Sequence, residues 1–105
     1  MYVYYIPAMV GKIIIFRILK NTDHNTVNLF CKKFYGQNTS SHKGKYRYRL
    51  KGFLDDIPHI KLIRGVIIVL EKDASRVIKF LRGFNAEIHI RSVELTMEDE
   101  KILKK

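Results

Sequence analysis

Apolar residues recur along this chain with two different periods, and the switches between them mark its elements. Residues 12–19 (KIIIFRIL) are apolar on both parities, which predicts a central strand covered on both faces. Asn21, Thr22 and Asp23 follow, each a good helix N-cap. Val27, Phe30, Cys31 and Phe34 then recur at helical spacing until Gly36, so residues 24–35 read as an amphipathic helix. Residues 37–44 (QNTSSHKG) form a polar loop. From Lys45 the period drops to two: Tyr46, Tyr48 and Leu50 oppose Lys45, Arg47, Arg49 and Lys51, a strand with one apolar and one cationic face. Residues 52–58 (GFLDDIP) turn the chain. A long strand then covers 60–71, bulged at Arg64-Gly65, with a second half (VIIVL) again apolar on both parities.

Asp73 is placed to cap a second helix, with Ala74, Val77, Ile78, Phe80 and Leu81 on its buried stripe and Gly83 as its stop. Residues 86–95 alternate as a strand, Ile88 and Ile90 against Glu87, His89 and Arg91. Thr96 with Asp99 forms a capping box for a short terminal helix through Leu103. The expected fold is α+β: a ferredoxin-like split β-α-β-β-α-β with a four-stranded antiparallel sheet, two helices on one face and a short C-terminal helix. In that topology the first and third strands are central, and these are the two fully apolar ones; the charged, alternating strands fall on the edges, where charge discourages aggregation.

At 105 residues there is room for one domain, 1–105, with a core over 10–96 and the short helix at 97–105. Residues 1–8 fit no core element and read as an extension or a disordered lead-in, which makes Met9 a second candidate start. No apolar run approaches the roughly 20 residues of a membrane-spanning helix. The N-terminus lacks the basic and long apolar regions of a secretory signal, so a cytoplasmic location is expected. The single Cys31 cannot form an internal disulfide and reads as a small hydrophobe on a helix stripe.

Charge adds what periodicity does not. The formal net charge is +10, an excess that favours polyanionic partners. Between Asp23 and Asp55 there is no acidic residue, while the interval holds Lys32, Lys33, Lys43, Lys45, Arg47, Arg49 and Lys51. Alternation sets the last four roughly 6.6–7 Å apart on one strand face, comparable to phosphate spacing along a strand. The preceding loop adds Ser40, Ser41 and His42, whose hydroxyl, imidazole and backbone N–H groups suit phosphate oxygens. Arg91 and His89 are expected to join this face from the opposite edge, and Arg64 is a further candidate. Tyr35, Tyr46 and Tyr48 lie near these cations, although alternation turns Tyr46 and Tyr48 toward the core or an interface.

The function expected is therefore non-enzymatic nucleic-acid binding, DNA or RNA, through a cationic strand and polar loop: Lys43, Lys45, Arg47, Arg49, Lys51, Arg91, Ser40, Ser41 and His42. No cofactor, metal or catalytic set is assigned. Two alternatives stand beside it. The helix-free face would expose apolar residues of the central strands, either Ile14, Phe16 and Ile18 or Ile13 and Ile15, with Val66 and Ile68 or Ile67 and Val69. Either the Tyr-rich N-terminal segment and the C-terminal helix cover it, or a second copy does, which suits a homodimer or an effector-binding module. Asp55, Asp56 and His59 contain the side-chain types of a metal-dependent nuclease, though Asp near Pro is also ordinary turn chemistry. In element order alone the chain resembles the RNA-recognition motif. Its third strand, IRGVIIVL, lacks the aromatic signature of that family, and no family is assigned.

Overall fold

The computed structural model describes residues 9–19, 21–41 and 46–104, with the backbone alone at Ser40, Ser41 and Tyr46. The elements run β1 (Val10–Ile18), α1 (His24–Tyr35), β2 (Gln37–Ser41), β3 (Tyr46–Leu50), a 3-10 turn (Phe53–Asp56), β4 (His59–Ile63), β5 (Val66–Leu70), α2 (Glu71–Arg82), β6 (Ala86–Glu94) and α3 (Met97–Leu103). It is a mixed α+β arrangement. The four-stranded sheet has the order β4-β5-β1-β6, every neighbouring pair antiparallel, and β2-β3 form a separate two-stranded ribbon.

The two segments that are apolar on both parities, β1 and β5, are the two central strands. Ile14 lies between Ile67 and Ile90, and Ile13 between Ile68 and Arg91. One set, Ile14 and Phe16 of β1 with Ile67 and Val69 of β5, packs against Phe30 and Phe34 of α1 and Ala74, Val77 and Leu81 of α2. Leu54 and Ile57, from the 3-10 turn and the residue after it, complete that core. Phe34 is fully buried at its centre; its ring meets that of Phe16 edge-on at 5.1 Å and stacks on that of Phe30 at 5.1 Å. The other sheet face carries a smaller cluster, Ile68 and Leu70 with Leu95 and Leu103, so α3 covers part of that face.

Both helix boundaries expected from caps hold for α1. The Asp23 carboxylate accepts a 2.8 Å hydrogen bond from the Thr26 N–H, and Gly36 follows the last turn with φ 84°. Hydrogen bonds from Thr26 hold the Asp23 carboxyl below its ordinary pKa. At α3 the capping box is complete: Thr96 Oγ1 accepts from the Asp99 N–H at 3.1 Å, and Asp99 Oδ2 from the Thr96 N–H at 3.0 Å.

Several expectations are corrected. The strand expected at 45–51 is observed as β3 over 46–50, but it pairs with β2, inside the expected loop, and not with the main sheet. The long strand expected over 60–71 is a hairpin, β4 and β5, folded at Arg64-Gly65, so the chain itself supplies the outer strand beside β5. Gly65, at φ 87°, provides the left-handed residue that such a turn needs. A bulge and a turn share the same sequence mark, which is why the hairpin is invisible to periodicity. Asp73 is not an N-cap: α2 starts directly from β5 at Glu71, and Asp73 is buried in its first turn with Oδ2 unpartnered. Residues 1–8 lie outside the described residues. Among those described, no helix is long and apolar enough to cross a membrane.

Candidate nucleic-acid interface

Cross-strand partners in an antiparallel ladder share a face. The register Asn38↔Arg49 and Ser40↔Arg47 therefore places these four residues on one face of the ribbon. Gln37↔Leu50 and Thr39↔Tyr48 occupy the other. Tyr48, expected at the core or an interface, and Leu50 are each 52% exposed; among the described residues no second layer covers their face. An isolated two-stranded hairpin is marginal in water, so the ribbon's stability has to come from its base.

That base is built around Arg49. Its Nη2 donates to the Tyr35 carbonyl at 2.7 Å and lies 2.8 Å from both carboxylate oxygens of Asp55; Nη1 donates to Asn38 Oδ1 at 3.3 Å. Asp55 Oδ2 also accepts from the Gly52 N–H at 2.7 Å. The Arg49 guanidinium, and then the Gly52 N–H, hold the Asp55 carboxyl below its ordinary pKa. Where the ribbon leaves and re-enters the body, its ends touch: a Cβ on Gly52 would stand 2.1 Å from the Gly36 nitrogen. Arg49 thus joins the end of α1, the ribbon and the 3-10 turn.

The remaining site residues separate. Arg47 is exposed and has no acidic partner among the described residues. Lys51 stands 3.6 Å from Asp56, both largely exposed, a pair worth little. Ser40 and Ser41 lie in β2 opposite Arg47 and Tyr46. His42, Lys43 and Lys45 lie outside the described residues. Arg91 is on β6, paired with Ile13 in the main sheet, and its Nη1 donates to the Ile90 carbonyl at 2.7 Å. The expected common face of Arg91 and His89 with Arg47 and Arg49 is not formed, since the two pairs belong to different sheets. His89 instead lies 3.7 Å from Glu87, which pairs with Arg17 at 2.6 Å; that guanidinium holds the Glu87 carboxyl below its usual range. Asp55 and Asp56 sit in the 3-10 turn and His59 Nδ1 is 2.8 Å from the Ile57 carbonyl. Among the described residues no group of three His, Cys, Asp or Glu could hold a metal ion.

A second cationic region joins Arg64, a candidate from the sequence, to Lys32 and Lys61, a grouping that the sequence reading missed. Lys32 of α1, Lys61 of β4 and Arg64 of the β4-β5 turn line a groove of about 420 Å³ with Asn28, Tyr35 and Gln37, the first residue of the ribbon. Lys61 Nζ sits 4.5 Å from the centre of the Tyr35 ring, and Arg64 Nη2 donates to Cys31 Sγ at 3.2 Å. Burial raises the Tyr35 phenol above its ordinary pKa; its oxygen accepts from the Gly65 N–H at 3.2 Å. Asn28, Lys32 and Tyr35, spaced i, i+4 and i+7, do share a helix face, and that was the available signal. Lys61 and Arg64 reach it only because residues 59–70 form a hairpin. Comparison with known proteins returns no matching family model, no similar curated protein and no similar solved structure.

Proposed function

We propose that this chain is a nucleic-acid-binding protein without catalytic function, which engages the phosphate backbone of DNA or RNA through the β2-β3 ribbon. The observation that carries the reading is Arg47: an exposed cation without an acidic partner among the described residues, on a ribbon anchored to the body at its base. Lys43 and Lys45 belong to the same acid-free stretch of sequence and add charge to it, with Ser40, Ser41 and His42 as polar contacts. A two-stranded ribbon is one of the elements that a nucleic-acid groove admits, and Tyr48 on its other face has an exposed ring able to stack. Arg49 serves in this reading as the anchor that aims Arg47. Lys51 and Arg91 contribute long-range attraction.

The body fits a ferredoxin-like arrangement. The support for this is the sequence β1-α1-β4-β5-α2-β6 with spatial order β4-β5-β1-β6. The ribbon is then an insertion between α1 and the second strand of that motif, with the cytoplasm as its expected compartment.

The test is titration of generic oligonucleotides over a range of salt. The expected result is a log K that falls linearly with log salt, with Arg47→Ala weakening binding similarly for all sequences and lowering the slope by about 1. Absence of binding at low ionic strength, or an Arg47→Ala slope equal to that of wild type, overturns the reading.

A second reading, a homodimer, is favoured by one observation: Ile15 is 41% exposed and Ile63 65% exposed on the sheet face opposite α1 and α2. A second copy laid on that face would cover them.

A further inference from the structure

The groove that holds Lys32, Lys61 and Arg64 adjoins an apolar cavity of about 410 Å³, within the range of small-ligand sites. Phe16, Leu19, Val27 and Phe30 form its apolar walls; Thr22 contributes a hydroxyl, and Arg17, paired with Glu87, lies at its border. Cys31, Tyr35 and Arg64 line both spaces, so the two meet at one partition. On one side of it are three cations and two amides, Asn28 and Gln37, with no carboxylate among the described lining residues; on the other the surface is mainly aromatic and aliphatic, with Arg17 and Thr22 as its polar members.

We infer that this pair of spaces is a binding site for a nucleoside phosphate. The phosphate lies between Lys32, Lys61 and Arg64, and the base enters the cavity between Leu19 and Val27, with the largely buried rings of Phe16 and Phe30 as its floor. Arg64 is the central group. A guanidinium carries five N–H donors, yet its only side-chain partner among the described residues is a thiol, a weak acceptor. It therefore has donors to spare for a phosphate, which it can take in bidentate geometry. Its position is set in advance. The adjoining Gly65 donates to the Tyr35 hydroxyl, and its carbonyl accepts from the Phe16 N–H at 2.8 Å, so the turn is tied to both α1 and β1. Lys61 is likewise held over the Tyr35 ring. Preorganised donors lose little freedom when the ligand arrives.

The inference stands independently of the ribbon reading, since none of its residues lies on the ribbon beyond Gln37 at its base. The chemistry is that of a base carrying a phosphate, and it has two sources: a free nucleotide, or the phosphorylated end of a strand. Calorimetric titration of the full chain with AMP, adenosine and inorganic phosphate at low ionic strength tests the site. AMP is expected to bind about tenfold or more tighter than either fragment, because only AMP fills both spaces. Arg64→Ala and Lys61→Gln, both at exposed side chains, are each expected to weaken AMP about tenfold. Val27→Trp, which fills the cavity, is expected to reduce AMP binding to the level of phosphate alone. Circular dichroism confirms that each variant is folded, and the second cation variant serves if the first is not.

A 5′-phosphorylated oligonucleotide that outcompetes AMP, while its unphosphorylated counterpart does not, identifies a strand end as the ligand; AMP bound more tightly than both identifies a free nucleotide. AMP bound no better than phosphate, or AMP binding unchanged by both Arg64→Ala and Lys61→Gln, overturns the proposal. Arg47→Ala is expected to leave AMP affinity unchanged, so failure of the ribbon and failure of this site are read separately.

Discussion

Arg49 Nη2 stands 2.8 Å from each carboxylate oxygen of Asp55, and this pair helps tie to the body a ribbon that no second layer covers among the described residues. The same nitrogen reaches the last carbonyl of α1, at Tyr35. A residue that the sequence places among evenly spaced surface cations is thus the keystone of a junction, and its neighbour Arg47 is left without an acidic partner among the described residues.

Replacing Asp55 with Ala should therefore loosen the ribbon before it unfolds the protein. Arg49 loses both oxygens and the Gly52 N–H loses its acceptor, while the core residues Leu54 and Ile57 remain in place. The pair is partly exposed, so the global cost is small, about 1 kcal/mol. The expected signature is local: faster amide exchange across residues 37–41 and 46–50, with β1 and β5 unaffected. Arg49→Lys should give nearly the same result, because a point charge cannot bridge a carboxylate and a carbonyl as the planar guanidinium does.

The same contact sets a pH dependence with a definite sign. Asp55 has its pKa lowered in the folded protein, by Arg49 first and then by the Gly52 N–H. A depressed carboxyl contributes stability that is fully present above its unfolded pKa, about 3.9, and is lost as the pH falls through the folded value. The stability difference between wild type and Asp55→Asn should accordingly be constant above about pH 5 and shrink as the pH is lowered toward 2. Denaturant unfolding at a series of pH values measures it. A difference that grows on acidification would contradict the assignment of Asp55 as the group responsible.

How far the sequence reached can be judged at particular residues. The α1 boundaries were legible because Asp23 and Gly36 are local signals that act through the backbone beside them. The central place of β1 and β5 was legible because burial on both faces demands apolar residues on both parities. The partner of β3 was not. Alternation in Lys45–Lys51 specifies a strand with two unlike faces, and it is silent about whether that strand joins the main sheet or the polar segment before it. Gln37–Ser41 carries no apolar alternation at all, so the ribbon is held by ladder hydrogen bonds and by Arg49, neither of which leaves a hydrophobic pattern. The Lys61–Arg64 groove was hidden for a related reason: a single glycine decides between a bulged strand and a hairpin, and only the hairpin brings those cations to Tyr35.

Gly65 itself should tolerate no side chain. It lies at φ 87°, where a Cβ costs roughly 1–2 kcal/mol by itself, and that Cβ would stand 2.7 Å from the Phe16 carbonyl oxygen. The clash is with backbone of the central strand, which cannot move without disturbing β1. Gly65→Ala should destabilise the protein by about 2 kcal/mol or more in denaturant unfolding. It should also displace Arg64, and with it the donor geometry of the groove.

The helix-free face of the sheet yields the last expectation. α3 and Leu95 shield Ile68 and Leu70, whereas Ile15 and Ile63 are exposed on the same face among the described residues. If a second copy covers them, Ile63→Asp places a carboxylate within an apolar contact and should convert a dimer to a monomer in sedimentation equilibrium. Because Ile63 is already 65% exposed, the change should cost the isolated chain less than about 0.5 kcal/mol, so dissociation and unfolding are distinguishable. The ribbon provides the control. Arg47 belongs to a different sheet, and Arg47→Ala should leave the sedimentation behaviour as it is while lowering oligonucleotide affinity. A wild-type chain that sediments as a monomer at the highest soluble concentration would remove the dimer reading and leave the ribbon reading untouched.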